Sequence, residues 1–439
     1  MKKLFTLLVA ALLAVSCCFG LIACGNNDAG KEDQPKVSKA VALITLHGTD
    51  SSYDKNFIDA FTAACKAKGL TESQYTVVTG VPEEGDDCYN KAADFADAGF
   101  KAVFADSFGH EANMIKAAKE FPNVQFCHAT GTGAGLSLDN DAANDTPANF
   151  HNAFASIYEG RYLAGVAAGL KLVELYGDES GNVSNENAKV GYVGAWPYAE
   201  VVSGYTSWFL GVRSVVPNAT MQVRYTYSWY SVNGEKASAI ALIEDGCKLI
   251  SGHADSMGVP TACKERNIPN VFYNGTQPNE QFIIASKINW QPYFELMIDN
   301  ALNGTAIPKD YTGTIASGSV EITAVGPAAA EGTVTKLAEV KQALADGLKV
   351  FDCSKFTVKA AKADTSAFSK AGFITMDEDG HLTAYNADVI DDGTYVGETN
   401  VIKTANGVTY FSESDFRSAP YFDIVIDGIS IGADVEYED

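Results

Sequence analysis

Basic residues are scarce in this chain. Its 439 residues carry 32 Lys and Arg against 55 Asp and Glu, a net charge of −23. A surface this acidic repels nucleic acid and anionic lipid headgroups, which excludes polyanion binding as a main role. Histidine is rare too, with six in the chain, and no two stand at i, i+4 on a helix. No cysteines form a C-x-x-C pair. Metal and dithiol signatures are therefore missing, and neither a metal nor a cofactor is expected. Beyond the first residues, no apolar run is long enough to span a bilayer. Ser, His and Asp are all present, but they form no evident catalytic constellation, so an enzyme is not expected.

The N-terminus is the most specific signal present. Lys2 and Lys3 precede an apolar stretch over 4–16, and small residues follow it. Residues 1–23 thus read as an export signal. Leu21-Ile22-Ala23-Cys24-Gly25 looks like a bacterial lipobox, which implies cleavage before Cys24 and acylation of that residue. More than one acyl chain would hold the protein stably on the outer face of the cell membrane. Residues 24–38 are polar and rich in turn formers, as expected of a flexible tether. Six cysteines follow Cys24: Cys65, Cys88, Cys127, Cys247, Cys263 and Cys353. An exported location permits disulfides, with Cys65 and Cys88 one candidate pair; buried free thiols are the alternative.

The body alternates short apolar strands with amphipathic helices. Strands are predicted at 39–46, 75–79, 101–105 and 124–128, and helices at 54–68, 86–98 and 110–120. Repeated βα units imply a parallel sheet covered by helices. The pattern then recurs. Ala98-Gly99-Phe100-Lys101 matches Asp245-Gly246-Cys247-Lys248, and Phe121-Pro122-Asn123-Val124 matches Ile268-Pro269-Asn270-Val271. Both pairs are offset by 147 residues (98 to 245, 121 to 268). A duplicated α/β lobe follows, with a ligand cleft where the carboxyl ends of the two sets of strands face each other.

The strand ends carry a consistent chemistry. In the first lobe they bring Asp50, Ser52, Tyr53, Asp106, His128 and Thr130; in the second, Trp196, Trp229, His253, Asp255, Asn274, Lys287 and Asn289. Aromatics, hydroxyls, amides and carboxylates dominate, and Lys287 is the single base among them. Such a set suits a neutral polar ligand with a flat part. Gly131-Thr132-Gly133-Ala134-Gly135 follows a strand but lacks the G-x-G-x-x-G spacing of a dinucleotide loop.

Several segments resemble the basic membrane protein family of ABC-transporter receptors, which includes purine nucleoside receptors. Gly48-Thr49-Asp50-Ser51-Ser52-Tyr53-Asp54 is similar to its first-strand motif, and Ala118 to Phe126 to its Ala-Lys-x-Tyr-Pro-Asp-Val segment. Tyr158-Glu159-Gly160-Arg161-Tyr162-Leu163-Ala164-Gly165 resembles the helix opening its second lobe. The resemblance runs from about Lys39 to the low 350s. It implies a type I periplasmic-binding-protein fold, two Rossmann-like lobes joined by a hinge, and a nucleoside gripped between Tyr53 and Trp229. Some polar positions depart from the family pattern. Asp54 replaces an Asn, Asn274 an Asp, and Asn289 a Lys; Thr130, with His128 beside it, stands near the base-reading Asp.

The first lobe is expected over 39–150 and about 291–325, and the second over 151–290 and about 326–439. A small β-rich insertion is expected near 360–410, with a strand at Thr394-Tyr395-Val396-Gly397 and a plain turn at Asp377-Glu378-Asp379-Gly380. The expected role is capture, lobe closure and delivery to a membrane permease by a monomer. A sugar or other small metabolite in the same fold is the near alternative. A sensory or adhesive surface lipoprotein is the distant one.

Overall fold

The apolar runs of the first lobe form strands and the polar turns after them open helices. In the computed structural model, which describes residues 39–134, 146–276, 279–360, 374–387 and 399–437, the chain begins with β1 (Val41–Ile44), α1 (Ser52–Ala67), β2 (Tyr75–Val78) and α2 (Asp87–Asp97). It continues through β3 (Ala102–Ala105), α3 (Glu111–Glu120), β4 (Gln125–Ala129) and β5 (Phe150–Ala155). The leader, Cys24, the tether and the strand expected at Thr394–Gly397 lie outside the described residues. Ser51 starts α1 in the expected way. Its hydroxyl accepts from the Asp54 amide at 3.1 Å, and Asp54 is the acidic residue of the first turn.

The second lobe repeats the plan with α4 (Ile157–Tyr176), β6 (Lys189–Gly194), α5 (Ala199–Arg213), β7 (Thr220–Tyr225), α6 (Val232–Glu244), β8 (Ile250–His253), α7 (Gly258–Arg266), β9 (Asn270–Tyr273) and β10 (Phe282–Ile288). Then come α8 (Gln291–Asn303), β11 (Asp310–Gly313), β12 (Val320–Ile322) and α9 (Thr333–Ala345). The two sheets run β11-β5-β4-β3-β1-β2 and β12-β10-β9-β8-β6-β7-β19, where β19 is introduced below. The first is parallel throughout; in the second only β12 is antiparallel. Within each lobe the first five strands have the same spatial order, so the repeat read from the sequence is a repeat of topology. Helices α4 and α5 cross closely. A Cβ at Gly165 would lie 1.9 Å from the Trp208 carbonyl oxygen, and one at Gly211 2.2 Å from that of Tyr162.

The crossings between lobes differ from expectation at two places. Phe150–Ala155 pairs with both β4 and β11, so the first crossing falls after Ala155 rather than at 150. The last falls between Gly313 and Val320 rather than near 325, because β12 pairs with β10. Between them, α8 packs on α1: Phe294 meets Phe61 edge-on at 5.3 Å, and Lys68 pairs with Asp299 at 2.6 Å.

The C-terminal region adds β13 (Val358–Ala360), β14 (Ile374–Met376), β15 (Leu382–Tyr385), β16 (Ile402–Ala405), β17 (Val408–Phe411), β18 (Val425–Ile426) and β19 (Ile429–Ile431). They form small antiparallel pairs, and β19 extends the second sheet beside β7. Phe351 stacks on Phe422 at 4.5 Å within the same apolar cluster as α4 and α5. The β-rich part thus runs past the expected 360–410, since β13 pairs with β18. The turn at 377–380 is a plain one: Asp377 accepts from the Asp379 and His381 amides, and Gly380 has φ +88°. Cys65, Cys88 and the four later cysteines are all buried free thiols.

Candidate functional site

In sheets of this strand order the crevice opens where the order reverses, between β1 and β3 in one lobe and β6 and β8 in the other. The cleft is hollow there. A cavity of about 420 Å³ lies between the lobes. The first lobe lines it with Leu46, Tyr53 and Asp54 after β1, Ser107 and Phe108 after β3, and Thr130 after β4. The second contributes Glu200 from the first turn of α5, Trp229 after β7, His253 and Asp255 from β8 and its end, and Tyr273 from β9. Among the described residues this lining contains no Lys or Arg.

The lobes touch around the cavity. The Ser52 amide donates to the Asp255 carbonyl at 3.0 Å. His47 lies against Tyr230 at 5.4 Å, and Phe108 against Tyr198 at 5.7 Å. Tyr53 is fixed by its hydroxyl, which donates to the Asp106 carbonyl at 2.7 Å, and by Phe57 behind its ring at 5.0 Å. Trp229 leans on Tyr198 at 6.0 Å, and its carbonyl accepts from the Asp255 amide at 2.9 Å. Thr130 has φ +71°, a strained conformation for a β-branched residue, and it turns the chain sharply at the cavity wall.

The acids are held in different ways. Asp54 accepts from the His47 amide at 2.8 Å and from the Ser51 hydroxyl at 2.5 Å. Asp255 has no hydrogen bond to its carboxylate among the described residues. Burial, with Asp54, Glu235 and Glu200 nearby, pushes the Asp255 carboxyl well above its usual range. His253 is lowered to about 4 by burial and by Arg161. The ring is therefore neutral near pH 7, and its Nε2–H donates to Glu200 at 3.4 Å. Arg161 is buried behind the site, over the Tyr273 ring at 3.9 Å, with Nη1 donating to the Gly252 carbonyl. Glu235 braces the β8 loop by accepting from the Ser256 amide at 3.0 Å. The Tyr273 hydroxyl and Asp106 Oδ2 are buried without a hydrogen-bond partner among the described residues. Together these groups offer many acceptors and few fixed positive charges to whatever the cleft encloses.

Of the residues singled out from the sequence, the structure brings Tyr53, Asp54, Thr130, Trp229, His253 and Asp255 to one cavity. The others lie elsewhere. Asp50 is exposed. Ser52 meets the second lobe through its amide. Asp106 is behind the wall, with Oδ1 accepting from the Leu46 amide. His128 is buried between the Ser107 carbonyl, at 2.7 Å from Nε2, and Asn152. Burial lowers its pKa, so it is a neutral structural residue. Trp196 stacks on Tyr198 at 5.7 Å, outside the lining. Asn274, at φ +55°, ties β9 to β10 by accepting from the Ile288 amide. Lys287 is in register with Glu321 on β12, and Asn289 donates to the Gly318 carbonyl.

Glu200 and Tyr273 escaped the sequence reading. Tyr273 is one residue before the stretch taken as the strand end, and Glu200 is one turn beyond Trp196. One catalytic spacing was missed as well. Gly428-Ile429-Ser430-Ile431-Gly432 has the G-x-S-x-G spacing of a nucleophile elbow. It forms edge strand β19 rather than a strand-to-helix turn, and Ser430 donates to the Met221 carbonyl at 3.3 Å.

Comparison with known proteins agrees with this geometry. The family described as ABC transporter substrate-binding protein, PnrA-like, matches residues 38–351. A purine-binding protein of Brucella abortus is 31% identical over 294 residues, covering 66% of this chain and 75% of that protein. A Haloferax volcanii protein named for glucose binding in an ABC transporter is 27% identical over 289 residues, 65% of this chain and 66% of its own length. Among solved structures, an ABC transporter solute-binding protein from Conexibacter woesei superposes with a TM-score of 0.54 at 20% identity, covering 70% of this chain and 97% of that one. That likeness supports, for this chain, the two-lobed α/β fold of type I binding proteins. The chain belongs to the PnrA-like family of ABC transporter substrate-binding proteins.

Proposed function

We propose that this protein captures a purine nucleoside, or a closely related flat polar molecule, for an ABC importer. The coarser statement follows from the family: it is an extracytoplasmic substrate-binding protein that presents a small molecule to a permease. The observation that carries this reading is that Tyr53 and Trp229, from opposite lobes, line one cavity together with carboxylates. Aromatic faces on two sides suit a planar base. Asp255 and Glu200, the least committed acids, suit the ring N–H groups or the ribose hydroxyls. The Brucella relative, named for purine binding, supports the same choice.

Capture in this reading needs no covalent step. The ligand enters an open cleft, and closure brings the Ser52 amide onto Asp255 and Phe108 onto Tyr198. Closure excludes water and strengthens each buried hydrogen bond. Acylation of Cys24 and action as a monomer complete the proposal. No helix among the described residues is long and apolar enough to cross a membrane.

A second reading has specific support. Carboxylates also grip sugars, and the Haloferax relative is named for glucose. A thermal-shift panel of adenosine, guanosine, adenine, glucose and ribose separates the two. A ligand at about 100 times its Kd adds ~2.7 kcal/mol of stability, which a melt detects. Shifts with purines alone support the base sandwich, and shifts with sugars alone replace it.

A further inference from the structure

The cleft extends past the cavity described above. A second hollow of about 360 Å³ continues from it, and Phe108, Thr130, Glu200 and Trp229 face both. Its far wall is made by Arg417, Ala419 and Pro420. These residues lie beyond 351, where the family match ends.

This wall is held from both lobes. Buried Glu413 accepts from the Ser203 hydroxyl on α5 of the second lobe. The Asp415 amide donates to the hydroxyl of Tyr421, which belongs to the second-lobe core. On the other side, the Ser418 amide donates to Asp310 Oδ2 on β11 of the first sheet at 2.6 Å. Arg417 clamps the turn itself: Nε donates to the Ala419 carbonyl and Nη2 to the Pro420 carbonyl, both at 3.1 Å. Ala419 is thereby fixed at the boundary, only 4% exposed. A segment tied at three points and clamped on itself by Arg417 is a rigid boundary, and interiors packed this closely resist even small changes in volume.

We propose that residues 417–420 are a specificity element of the ligand site. They bound the outer compartment and set the largest ligand that the closed cleft accepts. A small ligand fills the inner compartment alone, whereas a larger one reaches the Ala419 wall. This rests on the purine reading for its choice of probes.

The test uses the full chain and calorimetric Kd values for adenine, adenosine and 5′-methylthioadenosine. Ala419→Leu should weaken adenosine about tenfold relative to adenine. Ala419→Gly, which cannot overpack, should improve 5′-methylthioadenosine relative to adenosine by about threefold. Unliganded Tm values report folding separately. Ratios unchanged in both variants would overturn the proposal. If the wild-type chain binds none of the purines, the purine reading fails on its own. The same variants are then read with glucose and maltose, where a selective loss of maltose in Ala419→Leu supports the wall and an unchanged ratio overturns it.

Discussion

The two lobes share one strand order, yet they hold their cleft acids in opposite ways. In the first lobe Asp54 is tied to the Ser51 hydroxyl and the His47 amide, and Asp106 is turned behind the wall toward the Leu46 amide. In the second, Asp255 has no partner for its carboxylate among the described residues, and Glu200 lines the cavity while accepting from His253. Duplication supplied two equal scaffolds. In the first, carboxylates serve mainly to set the start of α1 and the shape of the loops. In the second, Glu200 and Asp255 line the cavity, and in the proposed reading they meet the ligand. The aromatic contribution is shared more evenly, with Tyr53 and Phe108 lining the cavity from the first lobe and Trp229 from the second.

The largest effect that would break this contrast is on binding. Asp255→Ala removes an acid available to the ligand and should weaken adenosine binding by about 1.5–3 kcal/mol, roughly 10- to 150-fold, by calorimetry. Its unliganded Tm should hold or rise, since a buried like-charged group is lost. Trp229→Ala or Tyr53→Ala should each cost about 1–3 kcal/mol in affinity, by the usual scale of base stacking. Equal affinity in both variants would remove the sandwich. Asp54→Ala should act the other way round from Asp255→Ala. It should lower unliganded stability by about 1 kcal/mol in chemical denaturation, through loss of the α1 cap network. If Asp54→Ala costs more affinity than Asp255→Ala, the division between lobes is wrong.

A pH dependence tests the second lobe separately. His253 is depressed in the folded state to about 4, against about 6.5 unfolded. Between those values the unfolded chain binds more protons, so this contribution is full above pH 6.5 and is lost as pH falls toward 4. His253→Gln should flatten the fall of Tm over that window, with an upper bound of roughly 3 kcal/mol. His151, also lowered to about 4 by burial, leaves part of the fall in place.

Most of the fold was legible because hydrophobic period and turn chemistry agree in both lobes. Predicted strands at 75–79 and 101–105 appear at Tyr75–Val78 and Ala102–Ala105. The lobe crossings were less legible, because β5 and β11 are set by pairing between distant segments, which leaves no local signature. The site was legible as a set of loops and less so as a set of side chains. His253 and Asp255 alternate with Ala254 and both reach the cavity, as strand period requires. After β3 the strand end Asp106-Ser107-Phe108 was legible with Asp106 as its candidate, whereas the chain turns there and presents Ser107 and Phe108. Thr130 with φ +71° shows a similar break after β4. Ala419 and Arg417, far along the chain and outside any family motif, carried no signal at all.

The measurement closest to the central claim is calorimetric titration of the protein with adenosine, with Trp229→Ala and Asp255→Ala alongside. The account predicts a single saturable site in the wild type and a clear loss in each variant, with both still folded. Saturable binding of glucose with none of adenosine, or adenosine binding indifferent to both substitutions, would contradict it.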